Sequence, residues 1–275
     1  MIFYLLGGDV KLVFVISAVI IQSLMLNKLI LFLFLCSMNY SYGQSSITDS
    51  SINMPLLKLG YSANFPGKDL KDRFGFTSSL NTRFEVKLKS QWIVGVKYDF
   101  LFGNNVSDSG MLEELLTSSD GIIGLDGKFS TYEMLQRGHH IGIYIGRLLP
   151  YLSANPNSGF IVTAGVGLLT HKVNFNNINN DIVQLNGIYK AGYDRYTSGV
   201  SFTEFIGYRY MSNNKLMNFY CGIEFTQAFT KIRRDYQVDY EINDPRFGMR
   251  NDNLFNIQVG WILPLYKRVP KEFYY

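Results

Sequence analysis

Asn253-Leu-Phe-Asn-Ile-Gln-Val-Gly-Trp-Ile-Leu-Pro-Leu-Tyr266 is the stretch that decides the reading of this chain. Phe255, Ile257, Val259, Trp261, Leu263 and Leu265 share one parity, while Asn256, Gln258 and Gly260 take the other. A period of two with one apolar face marks a β-strand. Its length meets the roughly 9–11 residues that a tilted strand needs to cross a bilayer. An aromatic residue stands near each end.

Working outward, the same alternation recurs seven times upstream. Leu57, Leu59, Tyr61, Ala63 and Phe65 alternate with Lys58, Gly60, Ser62 and Asn64. Between Phe76 and Leu88, Leu80, Phe84, Val86 and Leu88 oppose Asn81, Arg83, Glu85 and Lys87. Trp92, Val94, Val96, Tyr98, Phe100 and Phe102 oppose Gly95, Lys97 and Asp99. Ile141, Ile143 and Ile145 then face away from His140, Gly142, Tyr144 and Gly146. Phe160 to Leu168, Val200 to Met211 and Met217 to Thr226 complete the set. The connections alternate in length. Lys89-Ser90, Pro150–Ser158 and Ser212–Lys215 are short, whereas 103–138, 172–199 and 231–252 are long. In the first long segment, Met111–Leu116 reads as a helical turn or two, with Glu113 and Glu114 near its N-terminus.

Eight such strands predict an all-β fold: an eight-stranded, antiparallel, up-and-down transmembrane β-barrel spanning 55–266, with short periplasmic turns and long extracellular loops. The parity rule alone does not say which face meets lipid. The polar parity combines glycine with charge of both signs: Lys58, Arg83, Glu85, Lys87, Lys97, Asp99, Arg209 and Glu224. An eight-stranded interior is just wide enough for such side chains to fill, so these residues are expected to form a lumenal charge network. Aromatics toward the ends of the apolar faces fit interfacial girdles. Glu204 breaks the pattern, since it falls on the lipid parity of the strand at 200–211. A bulge near Thr203 that turns it inward is the expected remedy; contact with a partner barrel is the other.

Composition limits the remaining choices. The chain has 275 residues, 15% of them aromatic, and a net charge of +4 from scattered rather than clustered basic residues. Nucleic-acid binding, which needs a concentrated basic stripe, is therefore not expected. Met25-Leu-Asn-Lys28 followed by Leu29–Cys36 has the charged and apolar regions of a secretory signal, and Ser41-Tyr42-Gly43 supplies small residues at a cleavage site. Residues 1–43 read as a signal peptide, with 1–24 as a misassigned upstream start; 44–54 form a periplasmic lead-in and 267–275 a periplasmic tail. With Cys36 in the leader, Cys221 is left as an unpaired thiol.

Few residues suggest chemistry. His140 and His171 fall on the lumenal parity near the outer ends of adjacent strands, forming a speculative rim site. A metal centre needs a third ligand in a defined geometry, and the spacing supplies none. No serine follows either histidine on the same face as in barrel lipid deacylases, and neither a zinc-protease nor a phosphate-loop motif is present. No cofactor, metal or catalytic set is expected. Ser41-Tyr42-Gly43-Gln44, the aromatic-rich strands and Gly260-Trp261-Ile262-Leu263-Pro264-Leu265-Tyr266 resemble the small outer-membrane β-barrel proteins of Bacteroidota. The resemblance implies an eight-stranded barrel in the outer membrane of a Gram-negative cell, inserted by the barrel assembly machinery. It carries no catalytic residues. The expected role is non-enzymatic: structural, or partner-binding through loops 103–138, 172–199 and 231–252, amid outer-membrane lipid and lipopolysaccharide. A lipid-modifying enzyme and a narrow pore are the alternatives.

Overall fold

The computed structural model describes residues 50–108, 110–179, 181–212, 217–238 and 247–265. The expected signal peptide, the first part of the expected lead-in and the expected C-terminal tail lie outside these residues. The barrel strands are β1 (Met54–Lys68), β2 (Thr77–Lys87), β3 (Trp92–Gly103), β6 (Tyr132–Leu149), β7 (Gly159–Asn177), β8 (Thr197–Tyr210), β9 (Phe219–Ile232) and β10 (Arg250–Pro264). The short strands β4 (Ile122–Ile123) and β5 (Phe129–Ser130) pair with each other in the β3–β6 loop. Each barrel strand pairs antiparallel with the next, and β10 returns to β1, closing the ring. Closure leaves no ladder edge for lipid to satisfy. In the closing pair, Leu57 lies opposite Leu263 and Phe65 opposite Phe255. Pro264 ends β10, where a missing N–H costs no ladder bond.

The apolar parity faces outward. Leu59, Leu80, Val96, Ile143, Leu168, Phe202, Ile223 and Ile257 are exposed around the circumference. Trp92, Phe160, Tyr208 and Phe219 stand at the short-turn margin of this belt, with Arg147 over the Trp92 ring at 6.0 Å. Such a surface is stable only against hydrocarbon, because a soluble protein rarely exposes contiguous apolar area of this extent.

Three expectations need correction. First, β8 carries no bulge: Glu204 pairs directly with Ala164 on β7 and Phe225 on β9, and the register runs unbroken on both sides. The carboxylate therefore remains on the exterior of the belt. Second, the long loops are shorter than the alternation implied. β6 starts at Tyr132, β7 runs on to Asn177, β9 reaches Ile232 and β10 starts at Arg250. Beyond the belt the same parity points outward but the polarity of the faces inverts, so Lys172, Asn174 and Asn176 are outward while Val173 and Phe175 are buried inside. Third, the helical expectation at 111–116 reduces to a single 3-10 turn, Glu113–Leu115.

Both ends of the barrel are filled. Ile52, just ahead of β1, packs with Met54, Leu56, Ile93, Leu148 and Ile262 in an apolar cluster at the short-turn end. Part of the expected lead-in is thus a plug. Lys87 holds it there through Ser51 Oγ and Asn157 Oδ1, both at 2.8 Å. At the long-loop end, Leu70, Phe74, Met111, Ile122, Phe175 and Leu185 form a second cluster that the loops fold over.

Candidate functional site

Between the two apolar clusters lies a polar core, organised around carboxylates. Glu85, wholly buried, accepts Lys58 Nζ at 2.7 Å on one oxygen and Arg209 on the other. Tyr144 donates its hydroxyl to the same group at 2.9 Å. Glu224 receives Arg83 at 2.9 Å and Lys97 at 2.7 Å, and Asn256 donates to it at 3.3 Å. Lys97 also reaches Asp99 at 3.0 Å, and Asn81 donates to Asp99 at 2.8 Å. Burying isolated charges is expensive, so each carboxylate needs several donors to be tolerated. All eight residues of the expected charge network lie buried inside the barrel. Seven join these clusters, and Lys87 instead anchors the inner plug.

Glycines make room for the large interior rings. A side chain at Gly60 or Gly260 would run into Tyr220, and one at Gly207 or Gly222 into Phe205. These glycines face each other across the β1–β10 and β8–β9 ladders. The rings in turn cover cations: Lys58 lies 5.0 Å from the Tyr220 centroid and Arg83 5.5 Å from that of Phe205. Such contacts strengthen when desolvated. A cavity of about 10 Å³ lined by Lys58, Arg83, Glu85 and Thr203 is room for roughly one water.

The two histidines do not stand on a rim, nor do they share a site. His140 is buried beneath the outer cluster, with Nδ1 3.4 Å from Asp99 Oδ2 and Nε2 2.8 Å from Ser201 Oγ. His171 lies under Phe74 and meets Asp252 at 2.8 Å, an oxygen that Thr230 also donates to at 2.5 Å. Ser201 was missed by looking for a serine beside a histidine in sequence. It comes from β8, two strands from His140, and was legible only as a lumenal-parity serine above Thr203. A serine–histidine–aspartate chain has the connectivity of an activated nucleophile. Here Ser201 and His140 are buried, with apolar clusters on either side. Asp99, His140 and Glu224 also bring potential ligand atoms within 4.8 Å of one another. Lys97 already bridges those two carboxylates, so its ammonium takes the place a cation would need.

Ion pairs bind the outer loops to one another. Asp108 from the β3–β6 loop accepts Arg195 of the β7–β8 loop at 3.2 Å, with Arg73 of the β1–β2 loop at 3.8 Å. Arg73 also donates to Thr197 Oγ1 at 2.8 Å. Arg234, following β9, donates to Asp194 Oδ1 at 3.0 Å, which raises its already high pKa, chiefly through that hydrogen bond. Asn251 donates its backbone N–H to Asp69 at 2.7 Å. The tied loops form a cap, and its surface exposes Ile123, Leu125, Phe129, Ile178 and Ile188.

No family model and no curated protein matches the chain. Solved structures similar to it include the attachment invasion locus protein Ail of Yersinia pestis, with TM-score 0.40 and 8% identity over 77% of this chain and 99% of that one. OprG of Pseudomonas aeruginosa is also similar, with TM-score 0.33 and 11% identity over 80% of this chain and 99% of that one. These likenesses are remote and carry no weight in assigning a role. The chain's own surface places it: a closed antiparallel barrel, apolar outside and charged within, is an outer-membrane β-barrel.

Proposed function

We propose that the protein is a sealed, non-enzymatic outer-membrane barrel of the Bacteroidota type that binds a partner through its outer cap. The observation that carries this reading is the cap itself. Its loops are tied by buried ion pairs over an apolar core, yet Leu125, Phe129 and Ile188 stay exposed at its surface. Rigid loops cost less entropy on binding than mobile ones. Exposed apolar groups beyond the membrane are a common mark of protein contact. The packed lumen argues against a pore. The barrel assembly machinery would insert the chain, with lipopolysaccharide as its surroundings.

The test is co-purification from membranes in mild detergent, comparing the native protein with the Leu125→Asp/Phe129→Asp variant. A component retained by the native protein and lost from a variant that still shows heat-modifiable migration supports the reading. Discrete single-channel steps in planar bilayers, with nothing retained, would overturn it.

A second reading, a lipid-modifying hydrolase, draws on the contact between Ser201 and His140. Labelling of Ser201 by a fluorophosphonate in the membrane, abolished by Ser201→Ala, would favour it over the first.

A further inference from the structure

The outer margin of the barrel differs from one side to the other. On β10, β1, β2 and β3 the outward residues near the long-loop end are uncharged. Phe65, Phe76 and Phe255 gather there, with ring centroids 5.3 Å and 6.4 Å apart. On β6, β7 and β9 the outward residues just beyond the belt are cationic: Arg137, Lys172 and Lys231, with Arg233 two residues past Lys231. Each lies a few positions beyond the last belt residue of its strand toward the long-loop end, that residue being Ile141, Leu168 and Phe229 respectively.

The register makes this row continuous. Arg137 lies directly opposite Lys172 across the β6–β7 ladder. Thr170, one outward step below Lys172, pairs with Ser198, which pairs with Lys231. Arg233 donates back to Ser198 Oγ at 2.9 Å. Like charges directly opposite on neighbouring strands are destabilising, so Arg137 and Lys172 call for a counter-charge. Among the described residues, Arg137 donates to the carbonyl of its neighbour Gln136, at 2.7 Å, and to no carboxylate. Glu133, the outward carboxylate on β6, lies four residues further from the membrane and accepts Asn176 at 3.1 Å. Lys190 in the loop above adds to the crowding; burial, and then Lys172, hold its pKa below the ordinary lysine value.

We infer that this arc binds the phosphate groups of anionic lipid in the surrounding outer leaflet. Its height decides the ligand. The cations face sideways at the level where hydrocarbon gives way to headgroups, so a lipid anchored beside the barrel presents its phosphate to them. A free anion would gain nothing from the apolar belt below. The arc is separate from the cap surface, and the inference does not depend on what the cap binds.

The test uses the purified, folded protein in zwitterionic micelles, titrated with bis-phosphorylated lipid A or with the same lipid dephosphorylated. Binding is read by native mass spectrometry. The expected result is retention of the phosphorylated lipid only. Each cation removed should weaken it roughly fivefold, since each basic group near an anionic surface contributes about that factor. The R137Q/K172Q/K231Q/R233Q variant should therefore lose several hundredfold. R147Q, which removes an outward cation from the opposite margin, should leave binding unchanged. A second readout guards against a folding defect: K172Q should unfold at higher urea than the native protein in zwitterionic lipid, and at lower urea once lipid A is present. Equal binding of both lipids, equal binding by the quadruple variant, or displacement by inorganic phosphate at the concentration of the lipid would each overturn the inference.

Discussion

Two halves of β7 obey opposite rules. From Val162 to Leu168 the outward side chains are apolar, and the inward ones are threonine and glycine. From Lys172 to Asn176 the outward ones are polar, while Val173 and Phe175 point inward. The pleat never breaks; only the surroundings change. In the lower half hydrocarbon lies outside and a charge cluster inside. In the upper half headgroups and water lie outside and the apolar cap inside. The polarity of each face is set by what the strand passes through, and each half is stable only in its own layer.

The largest expected effect comes from the charged interior of the lower half. Glu85→Gln leaves Lys58 and Arg209 buried beside each other without a counter-charge. It should cost about 3–5 kcal/mol, as breaking a buried pair does, read from urea unfolding in lipid vesicles by tryptophan fluorescence. A loss below about 1 kcal/mol would mean that water reaches these cations. Next is the apolar interior of the upper half: Phe175→Ala should cost about 3–4 kcal/mol in the same assay. A neutral result would show that the cap is not packed on it. The outward faces should separate the halves most clearly. Val166→Arg, within the belt, should cost about 2–4 kcal/mol. Asn174→Arg, eight residues on and of the same parity, should stay within about 0.5 kcal/mol. Equal costs would remove the boundary between the halves. Smallest is Glu204→Leu, which takes an exposed carboxylate out of the belt and should stabilise by about 1 kcal/mol in bilayers. A clear loss would show that Glu204 meets a partner there.

These contrasts also mark how much was legible beforehand. Within the belt, alternation was enough: the eight strands, the order of closure and the inward placement of residues such as Glu85 and Lys97 all follow from one parity rule. It failed where the environment changed. Tyr132–Gly138 and Lys172–Asn177 continue the ladder with charged and amide residues turned outward, so, lacking an apolar outward parity, they read as loops. Glu204 failed in another way. The sequence offered a carboxylate in lipid, and a bulge was the cheapest local remedy, but both neighbouring ladders hold the strand in register. The partners of His140 and His171 were illegible because Asp99, Ser201 and Asp252 come from other strands. Only the register of the closed ring brings them together.

Residues 253–264 belong to the closing strand β10, whose outward Ile257 and Val259 stand opposite Ala63 and Tyr61 across the seam.

One measurement tests the inversion directly. Single nitroxide labels can be placed at successive positions of β7 from Val162 to Asn176, in a Cys221→Ser background reconstituted into bilayers. Their relaxation is then compared in oxygen and in a water-soluble nickel complex. The account predicts that even-numbered positions favour oxygen up to Leu168 and switch to nickel from Lys172 onward, with odd-numbered positions shielded from both throughout. Oxygen exposure at odd-numbered positions, nickel access to odd-numbered positions below Leu168, or an even-numbered series with no switch would contradict it.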